Sequence, residues 1–100
     1  MFRFEPRKRC YLGPIKLGSQ PVRWIREHRS FASREWLEGQ VRYGKWVREY
    51  DKPNHFRIYT IVYEGAKPIT VLIKIKWHPQ QVLVYHAFIT HMLCERENRK

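Results

Sequence analysis

Acidic side chains are what this chain has least of. Nine Asp and Glu stand against twenty Lys and Arg in 100 residues, a formal charge of +11 with histidine neutral. That imbalance excludes polycationic partners and favours polyanions, nucleic acid first. Cysteine is nearly missing: Cys10 and Cys94 stand far apart, with no Cys-x-x-Cys. A disulfide-dense secreted scaffold is thereby excluded, and a reducing cytosol fits. Long apolar runs are absent as well. Stretches such as residues 82–85 and 87–90 fall far short of the ~20 residues that a membrane span needs. The opening Met1-Phe2-Arg3-Phe4-Glu5-Pro6-Arg7-Lys8-Arg9 turns basic where a secretory signal would need an apolar stretch. The expectation is a soluble, cytoplasmic protein with no membrane partner.

What is present suffices for a core. Hydrophobic residues make up 43% of the chain and aromatics 15%, so the charge does not mark a disordered basic tail. The length suits a single domain. Residues 1–10 read as a basic arm, 11–93 as the globular core and 94–100 as a charged tail.

Turn and cap signals divide the core. Gly13-Pro14 marks a turn, and Gly18-Ser19-Gln20-Pro21 marks a new start, with Ser19 the expected N-cap of a helix over 20–29. Ser33 is the expected N-cap of a second helix over 34–43. Glu35 sits in its first turn, Trp36, Leu37, Gln40 and Val41 form its inward stripe, and Gly44 is expected at a positive φ just past its end. Lys45 to Tyr50 alternates like a short strand. From His55 the period changes to two: 55–63, 69–77 and 81–91 read as strands separated by turns at 64–68 and 78–80. The fold class expected is α+β, two N-terminal helices packed on a three- or four-stranded antiparallel sheet.

Alternation also decides which polar groups act together. Ile69, Val71, Ile73, Ile75 and Trp77 share one face, and Lys74 and Lys76 share the other. Arg57 and Tyr59 fall on the lysines' face from the preceding strand. Four such residues combine cations for phosphates with a ring for a base, which suits single-stranded RNA. Arg3, Arg7, Lys8 and Arg9 of the arm would add phosphate contacts. No metal or cofactor is expected, because the histidines lack accompanying acids or thiols at ligand spacing. Metal-free RNA cleavage needs only a base, an acid and a cation, and His86 or His91 with Arg57 and Lys74 can supply them. The face to which His86 points is left open, because both faces of its strand look apolar.

Several segments resemble the RelE/BrnT-like toxin superfamily and its uncharacterised relatives. They are Ile15-Lys16-Leu17-Gly18-Ser19, a short helix ending at His28-Arg29, Phe31-Ala32-Ser33-Arg34-Glu35-Trp36, Val41-Arg42-Tyr43-Gly44, and a final strand carrying Phe88-Ile89-Thr90. The resemblance covers about residues 15–91. It implies a RelE/barnase-like fold and a metal-independent ribonuclease acting through basic and aromatic residues on its sheet. Three function classes follow: such an endoribonuclease, a non-catalytic nucleic-acid-binding module, or an interaction domain whose exposed Trp24, Trp36 and Trp46 dock an acidic, antitoxin-like partner.

Overall fold

The computed structural model describes residues 10–90. In chain order the elements are β1 (Ile15–Leu17), α1 (Ser19–Glu27), α2 (Arg34–Tyr43), β2 (Val47–Arg48), β3 (His55–Glu64), β4 (Lys67–His78) and β5 (Gln81–Thr90). All five strands join one sheet in the order β1-β5-β4-β3-β2.

This corrects the expected sheet. It has five strands rather than three or four, and it is mixed rather than antiparallel, because β1 lies parallel to β5 with Ile15 opposite Val82 and Leu17 opposite Val84. The reason is physical: a three-residue strand whose partner lies at the other end of the chain leaves no local signature beyond Ile-Lys-Leu alternation. Backbone bonds fix it in place, with the Val82 N–H donating to the Pro14 carbonyl at 3.0 Å and the Gly18 N–H to the Val84 carbonyl at 2.8 Å.

The helices differ in how they begin. Ser33 caps α2 as expected, its hydroxyl accepting from the Trp36 N–H at 3.0 Å, with Glu35 in the first turn. Ser19 does not cap α1; it is already the first helical residue, and extended Gly18 takes the cap position without a side-chain bond. Pro21 is tolerated two residues on, where an N–H would have no helical partner. Gly44 also departs from expectation, since its φ is −77°. Its smallness answers a different need: a Cβ there would collide with the Gln40 carbonyl and come within 2.9 Å of Ile58 Cγ2. Among the described glycines the positive φ belongs to Gly65, at +64° in the two-residue loop between paired Glu64 and Lys67.

Both helices pack on one sheet face. Trp24, Leu37 and Val41 meet Ile58, Val71, Ile73, Ile75, Val82 and Val84 in a single buried cluster. At the edge of β5, beyond the end of β1, the Gln20 amide takes over from the missing strand. It donates to the Ala87 carbonyl and accepts from the Ala87 N–H, both at 2.8 Å, so these two edge groups are satisfied. The three tryptophans expected at the surface are not there. Trp24 is 4% exposed, Trp36 is half-buried and stacked on it with centroids 6.3 Å apart, and half-buried Trp46 donates its indole N–H to the Val41 carbonyl at 2.9 Å. They hold the helices together and offer no exposed docking patch. Among the described residues, no helix is long and apolar enough to cross a membrane.

Candidate nucleic-acid interface

The face of the sheet away from the helices is organised in rows that cross the strands. One row runs Lys16, Leu83, Lys76, His55. The next runs His86, Lys74, Arg57, Val47, and the one beyond it Phe88, Leu72, Tyr59. Directly opposed residues on neighbouring strands hold their Cβ atoms about 4.5–5.5 Å apart. The second row therefore sets one imidazole, one ammonium and one guanidinium side by side.

A bulge makes that row possible. Ile75 pairs Val84 while Lys74 pairs His86, so Tyr85 is an extra residue on β5. Up to the bulge the inward residues are Val82 and Val84; after it they are Ala87 and Ile89, opposite Ile73 and Val71. Tyr85 and His86 consequently both reach the outer face. Tyr85 sets its ring edge-on to His55, centroids 5.7 Å apart, and His86 lies 4.8 Å from Phe88, centroid to centroid. This resolves the orientation of His86, and it explains why the strand reads as apolar on both sides.

Arg57 is the centre of the site. Its Nη1 donates to the Tyr59 hydroxyl at 3.2 Å, and its guanidinium carbon lies 5.9 Å from the Tyr59 ring centroid. Its Nε lies 3.9 Å from Glu49 Oε2. That distance makes an ion pair but is too long for a hydrogen bond, and both atoms are buried without a hydrogen-bond partner. The Glu49 side chain is only 11% exposed and that of Arg57 34%. The carboxylate is thus held by charge beside the guanidinium without being locked to it. Burial, reinforced by the negative charge of Glu49, raises the pKa of the Tyr85 phenol above its ordinary value, so Tyr85 stays a neutral donor through the physiological range.

The structure brings together Arg57, Tyr59, Lys74 and His86 as one patch. Lys76 is exposed one row away, beside His55. His91, Arg3, Arg7, Lys8 and Arg9 lie outside the described residues. Sequence reasoning missed Glu49. Its position follows from the pairing of Val47 with Arg57, which carries Glu49 alongside His55, where its N–H donates to the His55 carbonyl at 3.0 Å. The available signal was parity, since Val47 and Glu49 alternate with Trp46 and Arg48 across a short strand.

Comparison of the chain with protein-family models, with curated proteins and with solved structures found no match.

Proposed function

We propose that the outer sheet face binds single-stranded RNA and cleaves it by a metal-independent transesterification. The observation that carries this reading is the convergence of Glu49, Arg57, Lys74 and His86 from four neighbouring stretches of chain on one face. An anion and an imidazole stand at opposite ends of a pair of cations, the arrangement that displacement at phosphorus calls for. The resemblance of sequence segments to RelE/BrnT-like toxins points to the same chemistry, although the five-stranded mixed sheet is not the fold that resemblance implied.

In this reaction Arg57 and Lys74 hold the non-bridging oxygens of the scissile phosphate and stabilise the charge that builds there. The Glu49 carboxylate takes the proton from the ribose 2′-OH. The O2′–P bond forms as the P–O5′ bond breaks, and the His86 imidazolium gives its proton to O5′. The products are a 2′,3′-cyclic phosphate and a 5′-hydroxyl. Tyr59, braced by Arg57, offers a ring to a neighbouring base.

The test is incubation of the purified chain with a labelled single-stranded RNA in EDTA at moderate salt, with Glu49→Gln, Arg57→Ala and His86→Ala run alongside. Discrete cuts ending in cyclic phosphate, lost in the variants while binding persists, are expected. Intact RNA that still shifts on a native gel overturns the enzyme and leaves a basic binding module. Intact, unshifted RNA overturns both.

A further inference from the structure

An open hollow of about 560 Å3 lies at the β2 edge of the sheet, lined by Val47, Arg48, Tyr50 and Arg57. A single exposed tyrosine on a protein surface is ordinary. Here, however, three features coincide. The Tyr50 side chain is wholly exposed at the start of the turn after β2. Arg48 is exposed and makes no ion pair or hydrogen bond among the described residues. Arg57 forms a wall of the hollow and is also the central cation of the cleavage site.

We propose that this hollow is a nucleotide subsite, in which the Tyr50 ring stacks a nucleobase adjoining the scissile phosphate and Arg48 meets that nucleotide's own phosphate. The inference rests on the RNA reading above and extends it outward along the strand. An exposed ring and two arginines around one hollow match a base with its phosphates: every base presents a π-face, and stacking of this kind tolerates any sequence. An acidic peptide would satisfy the cations but would leave the ring without a role. The subsite is therefore expected to contribute affinity and placement of the chain without selecting one base.

Binding of a short RNA carrying 2′-O-methyl groups throughout, which cannot be cut, separates affinity from chemistry. Fluorescence anisotropy should show Kd for Tyr50→Ala raised about fivefold or more, the loss that one stacked base carries, with Tyr50→Phe binding as the parent does. Replacing bases of the RNA one at a time by abasic sites should find a position where the loss matches that of Tyr50→Ala and is not additive with it. Arg48→Ala should flatten the dependence of log K on log salt by about 0.7, one phosphate's share on a single strand. Unchanged affinity in Tyr50→Ala, or additive losses at every abasic position, overturns the subsite while the RNA reading stands. Failure of the parent chain to bind this RNA overturns both.

Discussion

Arg57 and Glu49 each leave one buried polar atom without its charge partner if the other is removed, and this sets what their variants do. Arg57→Ala is expected to lower cleavage by about 10²- to 10³-fold, as loss of one group that stabilises transition-state charge does. It should also destabilise the fold, because Glu49 then keeps a buried oxygen with no cation near it. Arg57→Ala with Glu49→Ala should be more stable than the sum of the single effects predicts, a coupling that urea denaturation of the four-member cycle would measure. Equal and additive losses would show that the pair is not coupled. Tyr85 makes a separate prediction. Its folded pKa is raised, so the folded chain holds this proton more tightly than the unfolded chain does. Its contribution to stability is complete below the ordinary tyrosine range near 10 and is lost as pH rises through the raised value. Thermal melts should show a decline above about pH 10 that Tyr85→Phe flattens. Of the groups involved, Arg57, Tyr59, Lys74 and Lys76 were legible in the sequence, because a period of two assigns each to a face once the strand is known. Glu49 was not, since its strand is two residues long and its place depends on register.

At the scale of elements, legibility tracked how local the determinants are. The limits of α2 are those the Ser33 cap, the apolar stripe and Gly44 indicate, and Ser33→Ala should cost about 1 kcal/mol in a denaturation experiment. Gly44→Ala should cost more, about 1–3 kcal/mol, because the added methyl must push on a backbone carbonyl and on Ile58. If the two costs prove equal, the crowding at Gly44 is relieved by small shifts. Strands β3 and β4 extend one to two residues beyond their expected ends at the shared hairpin, where Gly65 accepts the positive φ that the tight loop requires. The bulge at Tyr85 was illegible for a different reason. A change of phase within one strand looks, in a list of residues, like a strand with no polar face at all. Removing Tyr85 altogether would leave Val84, His86 and Ala87 consecutive opposite Ile75, Lys74 and Ile73, so this one deletion should close the bulge and keep His86 on the outer face, whereas a one-residue deletion elsewhere in the strand would turn its inward residues outward.

The whole molecule acts first as a charge. With +11 on 100 residues, RNA binding should weaken steeply with salt, log K falling against log salt by about 0.7 for each phosphate contacted. Lys74→Ala and Arg57→Ala should each reduce that slope by roughly one such step, whereas Leu37→Ala, in the helix–sheet core, should leave the slope alone and lower stability by about 2–5 kcal/mol. The sheet order, unlike its strands, could not be read from the sequence, since β1 joins β5 across nearly the full length of the described chain. That pairing has a kinetic consequence. The β3-β4-β5 meander closes through two tight loops and can assemble early, but β1 must wait for the chain between to be arranged, since long loops are closed at an entropic cost before their contacts form. Leu17→Ala, at the β1–β5 seam, should therefore speed unfolding while leaving the refolding rate nearly unchanged, and Ile73→Val, in the middle of the meander, should slow refolding. On this order of events the two helices are the last large piece to be secured, because β1 and Gln20 are what tie their leading end to β5.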